Sequence, residues 1–257
     1  MTDVPEAQRT GQALSGRLFL YRQPELLTPE DHSTLGVTPS ERPYAHASAV
    51  RAIPLTMTEF SSAQRHYPIV FASLEDPYPL AVVGVLKDEN LFVDDGIWDP
   101  ACYVPSYLRC YPFAVATARE GQVAVVVDRA AAQVTENPQY PFFADGKITK
   151  ETESMMRFCG QYEAERARTS EFCKKLAELN LLTAQHATYT PDGEKEEQTL
   201  ASYVSIDSAR LTELDAQALQ QMHKSGQLSA AYMQLYSMQN WRELIVRRGR
   251  RRHRGAG

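Results

Sequence analysis

Two short segments hold most of the residues that could do chemistry. The first is Glu59 to Phe71 (EFSSAQRHYPIVF), in which charged groups lead into a predicted buried strand. The second is Trp98 to Phe113 (WDPACYVPSYLRCYPF), with one Trp, three Tyr, one Arg and three Pro in sixteen residues. In such a set a histidine can act as an acid or base near neutral pH, an arginine can hold an anion, and aromatic rings can stack on a ligand. The candidate ligand-binding residues are Glu59, Arg65, His66, Tyr67, Asn90, Trp98, Tyr103, Tyr107 and Arg109.

The same residues also fit a purely structural role. Prolines in the second segment predict turns that wedge the aromatic rings into the core, and Arg109 would then pair with a buried acid such as Glu59. Mixtures of rings and charged groups are typical of binding pockets as well. The sequence leaves both interpretations open and identifies no catalytic residue.

No common signature of catalysis or metal binding is present. The chain lacks GxGxxG, Walker, GxSxG, HExxH and DxDxDG patterns. Its six histidines have no metal-ligand spacing, and its four cysteines (102, 110, 159 and 173) include no CxxC pair. We therefore expect reduced, structural thiols, no metal and no cofactor. Whether the chain is an enzyme is left undecided.

Composition predicts a folded globular protein. The chain has 257 residues, of which 43% are hydrophobic and 23% charged. The longest apolar run, Pro79 to Leu86, has eight residues, whereas a helix that spans a bilayer needs about 20. The N-terminus has no basic flank followed by an apolar core, so we expect no signal peptide and a cytoplasmic location, with signal-less export to the cell surface left open.

Charge is divided unevenly along the chain. The last eleven residues (247–257) carry six Arg and no acid, so the preceding 246 carry a net −11 within the whole-chain total of −5. We expect residues 249–257 to form a disordered basic tail. Nucleic-acid binding by the tail is not expected, because the acidic body opposes it; contact with an acidic neighbouring copy, and hence a homo-oligomer, is left open.

The pattern predicts an α+β fold: a central, mostly antiparallel sheet of short strands, flanking helices and a helical C-terminal region. Residues 1–46 form an irregular N-terminal arm with one strand candidate, Arg17 to Arg22 (RLFLYR). Residues 47–148 form a β-rich core. Its short apolar runs, bounded by Pro, Gly and Asp, predict strands: SAVRAIPL, YPIVFASL, PLAVVGVL, NLFVDD, YPFAVATA and QVAVVVD.

Helices are predicted at two places in the chain. Thr56 to Glu59 has the spacing of a capping box and opens a short helix, about Thr58 to His66. Residues 149–248 form a helical region packed on the core. In it, 149–181 fits one long helix or two, ASYVSID is one more strand, and Leu211 to Lys224 and Gln227 to Arg248 are two further helices. The face of the last helix predicts a core or dimer contact.

At the two clusters, and through most of the chain, the sequence resembles the bacterial SapC family. The Leu219 to Leu244 stretch, with Ser225-Gly226-Gln227-Leu228 at its turn, is similar to the family's helical ending. Two positions depart from the family: Cys110, where relatives usually carry a second Arg, and Ser106, where Ala is common. The other matching residues are Ala52 to Leu55, Glu59-Phe60, Arg65 to Phe71, Gly84, Asn90 to Val93, Trp98, Tyr103 to Pro105, Tyr107, Arg109, Tyr111 to Phe113, Phe143 and Asp145-Gly146.

The resemblance implies a role at the cell envelope and no established reaction. The family takes its name from a surface-layer (S-layer) gene cluster, so it implies surface-layer or other envelope proteins as partners. A permease function, a label some relatives carry, needs several membrane helices, and none is predicted here. We therefore expect an accessory protein that acts by protein contacts. The alternative is a small-molecule or glycan-binding protein, or an enzyme, with a pocket between the 59–71 and 98–113 segments.

Overall fold

The structure, a computed structural model, describes residues 18–117, 123–189 and 198–255. Its strands are β1 (Pro24–Leu26), β2 (Leu35–Val37), β3 (Ala52–Pro54), β4 (Ile69–Phe71), β5 (Pro79–Val82), β6 (Val93–Asp94), β7 (Ile97–Trp98), β8 (Phe113–Thr117), β9 (Val123–Asp128), β10 (Val134–Glu136), β11 (Tyr140–Pro141), β12 (Phe143–Ala144), β13 (Lys147–Ile148), β14 (Leu182–Tyr189) and β15 (Gln198–Ile206). Its α-helices are α1 (Pro29–His32), α2 (Phe60–Ala63), α3 (Ser106–Cys110), α4 (Lys150–Glu178), α5 (Ser208–Thr212), α6 (Ala216–Lys224), α7 (Gln227–Ser237) and α8 (Asn240–Gly255), with 3₁₀ turns at Ala45–Ala47 and Met57–Glu59.

The α+β class is confirmed, and each of the six predicted core runs contains a strand. The strands form several small antiparallel sheets, the largest of which has five strands. The chain divides into two compact units. The first unit comprises residues 1–46, 95–97 and 108–163, and the second comprises 47–94, 98–107 and 164–257.

The first unit is built on two three-stranded sheets, β1-β9-β8 and β10-β2-β11. Its core is apolar and includes Phe113, Val127 and Phe142, with the rings of Phe113 and Phe142 meeting edge to face at 5.4 Å. Gly36 lies in the central strand β2, where a Cβ atom would overlap Tyr140 O and lie 2.6 Å from Pro141 Cα. Only glycine therefore lets β11 approach β2 this closely.

A buried carboxylate fixes the N-terminal arm onto the first unit. Asp128, at the end of β9, has no exposed surface. Its oxygens accept the backbone N–H groups of Arg22 at 3.2 Å and Gln23 at 2.9 Å and the Tyr111 hydroxyl at 2.9 Å. The strand predicted at 17–22 is wrong for residues 18–22, because the chain turns there, with the Tyr21 N–H donating to Leu18 O at 2.9 Å; the strand begins at Pro24. Arg17 lies outside the described residues.

The second unit is built on the five-stranded sheet β14-β15-β4-β5-β3. Phe172, on α4, is fully buried and packs against Phe60 and Phe71 at ring distances of 6.2 and 6.5 Å. The helix is single and continuous, which decides between the one-helix and two-helix alternatives. Residues of α4 up to Glu163 belong to the first unit and later ones to the second.

Helix α7 closes a gap in that sheet. Strands β15 and β4 pair only at Val204 and Phe71. Beyond that pair the fully buried amide of Gln234 takes the place of the ladder: its Nε2 donates to Ile69 O at 2.8 Å, and its Oε1 accepts from Ile206 N at 3.2 Å. The Ser237 hydroxyl accepts the Ile69 N–H at 2.9 Å. One helix thus satisfies backbone groups of two strands.

The C-terminal helices follow the predicted order with different boundaries. Asp215 caps α6 by accepting the Ala218 N–H at 2.8 Å, so the predicted helix over 211–224 is divided by this N-cap. The predicted helix over 227–248 is likewise interrupted between α7 and α8. Helical backbone continues to Gly255, through residues 249–255 of the predicted basic tail, and residues 256–257 lie outside the described residues. Within the described residues, no helix is both long and apolar enough to cross a membrane.

Candidate functional site

The Glu59 carboxylate accepts four hydrogen bonds within the predicted site. The capping pattern is confirmed: Glu59 ends the 3₁₀ turn, and its Oε2 accepts from the Thr56 backbone N–H at 2.8 Å and hydroxyl at 2.9 Å. Its Oε1 accepts the Tyr103 hydroxyl at 2.9 Å and the Ser106 N–H at 2.7 Å. Glu59 is 6% exposed. Every oxygen is therefore engaged by donors of the protein itself, an arrangement typical of a structural carboxylate.

Ser106 contacts Glu59 through its backbone, while its hydroxyl lies 3.5 Å from the Tyr103 hydroxyl. The bond to Glu59 comes from the Ser106 backbone N–H, at the first residue of α3. Alanine at this position would keep that donor. Cys110, which like Ser106 departs from the family pattern, is 3% exposed and belongs to the core of the first unit.

An aromatic cluster surrounds Tyr67. The Tyr67 ring has no exposed surface, and its hydroxyl donates a short hydrogen bond to the Tyr103 carbonyl oxygen. It meets Phe92 edge to face at 4.7 Å and Trp98 at 6.3 Å. Burial raises the pKa of Tyr67 far above its ordinary value, so the phenol stays neutral at any physiological pH. Tyr67, Trp98 and Tyr103 are thus brought together as packing and hydrogen-bonding partners.

Arg247 lies beside the aromatic cluster around Tyr67. The sequence predicted it to end a helix and to begin the basic stretch. Its Nη1 donates to Asp99 Oδ2 at 2.8 Å, and its Nη2 donates to Cys102 Sγ at 3.3 Å. The guanidinium lies over the Phe92 ring, 4.4 Å from the centroid. The hydrogen bond from Arg247 lowers the pKa of Asp99, and burial raises the pKa of the Cys102 thiol to about 11. The thiol is therefore protonated and unreactive at neutral pH.

Asn90 is a buried organiser of the same region. Its Nδ2 donates to Ala47 O at 2.9 Å, and its Oδ1 accepts from Phe92 N at 2.9 Å. Its own backbone carbonyl accepts from Arg251 Nη1, while Arg251 Nη2 donates to Val93 O at 2.8 Å. Asn90 has no exposed surface, so the structure uses it to shape the chain between β5 and β6.

Arg65 and His66 reach the surface, unlike the buried candidates Tyr67, Asn90 and Trp98. Arg65 is exposed and His66 is half-buried. Burial lowers the pKa of His66, the charges of Arg65 and Arg247 lower it further, and Asp99 opposes them. His66 is therefore mainly neutral near pH 7, in a region of positive potential.

The last two candidates belong to different units. Tyr107, in the second unit, is 5% exposed. Arg109, in the first unit, is exposed, and its guanidinium lies 4.7 Å from the centroid of the Phe158 ring.

Two residues of the cluster, Asp99 and Arg247, were absent from the candidate list. A helical-face signal was available for Arg247. It lies on one face of α8 with Asn240, Leu244 and Arg251, at spacings of four, three and four residues. Leu244 is fully buried on that face, and Asn240 Nδ2 donates to Tyr67 O at 3.0 Å. Composition alone does not distinguish the arginines of a basic run that pack against the protein from those that stay in solvent.

The arrangement of the candidate residues is suited to supporting the fold rather than to catalysis. Among residues 18–117, 123–189 and 198–255, no three or more His, Cys, Asp or Glu side chains gather as a metal ion would require. Glu59 would have to give up hydrogen bonds before it could take a proton, and Asn90, Trp98 and Tyr67 are almost completely buried. Among the candidates of the second unit, Arg65 is exposed and His66 and Tyr103 are half-buried, and the Tyr103 hydroxyl is already engaged by Glu59.

Comparison with known protein families gives a match. No curated protein and no solved structure matches the chain significantly. The family model for SapC matches residues 27–244. The matched region includes Gly84, where a Cβ atom would overlap the Glu89 carbonyl oxygen, so this position admits only glycine without a shift of backbone. Because the match covers most of both units, the chain belongs to the SapC family.

Proposed function

We propose that this SapC-family chain is an accessory protein of cell-envelope or surface-layer assembly that works by protein contacts rather than by catalysis. The observation that carries the proposal is that both oxygens of the Glu59 carboxylate already accept hydrogen bonds from the protein. The one buried acid in the predicted site accepts four hydrogen bonds from Thr56, Tyr103 and Ser106. A general acid or base needs a lone pair or proton free for the substrate, and this carboxylate keeps none in reserve.

An exposed aromatic pair supports contact with proteins. Tyr232 and Tyr236, one turn apart on α7, are stacked with ring centroids 6.3 Å apart and are 38% and 64% exposed. Tyrosine combines a large apolar surface with a hydroxyl, and it is enriched at the centres of protein interfaces. The opposite side of α7 carries Gln234 and Ser237, which hold the sheet. The helix therefore presents the pair outward from a fixed support.

The test is recovery of the untagged chain from its own cells. Antibodies to the purified protein detect it in washed envelope and cytosolic fractions, and mass spectrometry identifies what is captured with it. We expect envelope or surface-layer proteins in the wild-type capture and fewer of them with Tyr232→Ser/Tyr236→Ser. Exposed Gln220→Ser on α6 is the matched control. Recovery without any envelope protein, together with an unchanged envelope after deletion of the gene, would overturn the proposal.

One observation favours a second candidate function, the binding of a small anionic molecule or an anionic glycan. Arg65 is exposed beside half-buried His66, and Arg247 adds positive charge there. Anionic groups are drawn to such potentials and are held by guanidinium. A ligand screen by thermal shift, repeated with Arg65→Ala and His66→Ala, tests it. The candidate fails if no ligand raises the melting temperature, or if the variants change stability but never the shift caused by a ligand.

A further inference from the structure

Strand β14 ends the five-stranded sheet without the usual protection of an edge. It has eight residues, LTAQHATY, with no Asp, Glu, Lys, Arg or Pro. Natural sheets guard their edges with short strands, charges or prolines, because unpaired backbone groups attract a further strand. The opposite edge of this sheet follows that rule, since β3 has three residues and includes Pro54. The contrast singles out β14 as an edge able to accept another strand.

The uncharged character extends across the β14–β15 ribbon. Its seventeen residues include no Asp, Glu, Lys or Arg, although these four types make up 23% of the chain. Ala184, Gln185 and His186 are exposed, so both faces of β14 meet solvent at mid-strand. Among the residues that the structure describes, no strand pairs with the outer side of β14.

The pairing geometry marks out the stretch that is regular enough to be extended. From Leu182 to Ala187 each residue of β14 faces successive residues of β15, and the register shifts only between Ala187 and Thr188. Six consecutive residues therefore keep the alternation of outward N–H and C=O groups that a new antiparallel strand requires.

We propose that β14 pairs antiparallel with β14 of a second copy of this chain, which joins the two sheets across a two-fold axis. An antiparallel strand is complementary to itself, because its outward donors and acceptors match those of an identical strand turned by 180°. Across a two-fold axis, a charged residue near the centre meets its own charge. In a body with net −11, a strand without Asp, Glu, Lys or Arg avoids this repulsion. Self-association therefore goes beyond the proposed envelope role and does not depend on it.

The experiment is the mass of the purified full chain by sedimentation velocity over a range of concentrations. We expect a dimer for the wild type and a monomer for Ala184→Lys/His186→Lys, which puts positive charges opposite one another in the paired strands. Thr199→Lys, exposed on the neighbouring strand β15, adds the same kind of charge away from the β14 edge and should leave the dimer intact. Circular dichroism melting of each variant separates lost pairing from lost folding.

Three outcomes overturn the proposal. The first is a wild type that stays monomeric at every concentration. The second is a dimer that survives in the folded double-lysine variant. The third is a dimer that dissociates as salt rises and is lost with Arg248→Glu/Arg250→Glu, because that behaviour assigns the contact to the arginines of α8. Pairing through an uncharged strand should instead hold or strengthen as salt screens the acidic bodies. Since all these measurements use purified protein, they are independent of envelope recovery.

Discussion

Arg247 and Asp99 form an ion pair, 2.8 Å between Nη1 and Oδ2, that holds the last helix against the segment following β7. Both side chains are largely withdrawn from solvent, with 23% and 29% exposed. The same guanidinium packs on Phe92 and reaches Cys102. A residue of the basic stretch thus makes interior contacts, and these contacts hold α8 in the second unit.

Replacing Arg247 should therefore lower the free energy of unfolding more than replacing a solvent-exposed arginine of the basic stretch. Arg247→Ala removes the ion pair, the cation–π contact and the bond to sulfur together, and we expect a loss of about 2 kcal/mol in the free energy of unfolding. Urea unfolding at neutral pH measures it. Arg250→Ala, on the exposed side of the same helix, is the control and should stay within about 0.5 kcal/mol of wild type. Equal effects for the two variants would contradict the docked role of Arg247.

Glu59 should behave as a structural group. Glu59→Ala strands the N–H groups of Thr56 and Ser106 and the Tyr103 hydroxyl, so we expect a loss of at least about 3 kcal/mol. Glu59→Gln keeps one carbonyl acceptor and should lose less. Thermal melts followed by circular dichroism compare both with exposed Glu75→Ala, which should melt like wild type. If Glu59→Ala melts like wild type, the carboxylate does not hold these elements together.

The Gln234 amide should be required for the junction of β4 and β15. Gln234→Leu leaves Ile69 O and Ile206 N without their partner, at a cost of about 3 kcal/mol. Hydrogen exchange gives a local readout, because the Ile206 amide should exchange much faster in the variant than in wild type. Exposed Gln220→Leu on α6 should leave both quantities unchanged. Unaltered protection of Ile206 would mean that the strands pair without the helix.

The stability of the protein should fall on mild acidification because of His46. Its ring stacks on Tyr111 at 3.9 Å, and burial lowers its pKa from 6.5 to about 4, while the Pro43 carbonyl and Asp128 oppose the shift. The folded state therefore resists a proton that the unfolded state accepts. The contribution of His46 to stability is present above pH 6.5 and is lost as the pH falls toward 4.

Between pH 7 and pH 5 this histidine should account for a loss of about 2 kcal/mol. The measurement is urea unfolding at both pH values for wild type and His46→Gln. The variant should lack this part of the pH dependence, whereas exposed His223→Gln should retain it. The same pH dependence in wild type and His46→Gln would show that another group is responsible.

Patterns confined to a few neighbouring residues were predictable. Thr56 and Glu59 predicted their own capping turn, because both partners lie within one turn of chain. The six apolar runs bounded by Pro, Gly and Asp predicted strands for the same reason. Strand β14 was missed, since Leu182–Tyr189 is polar, lacks strict alternation and draws its pairing from β15.

The sequence by itself determined the α+β class, the family resemblance and the set of aromatic and charged residues from which the candidate site is drawn. Tertiary structure alone decided what those residues do. Glu59 is saturated by Tyr103 and Ser106, more than forty positions away in the chain, and Arg247 is drawn inward by Asp99 from a distance of 148 positions. The physical reason is that residue type fixes which bonds a side chain can make. Only the folded chain brings distant donors and acceptors together and removes the water that would otherwise compete for them.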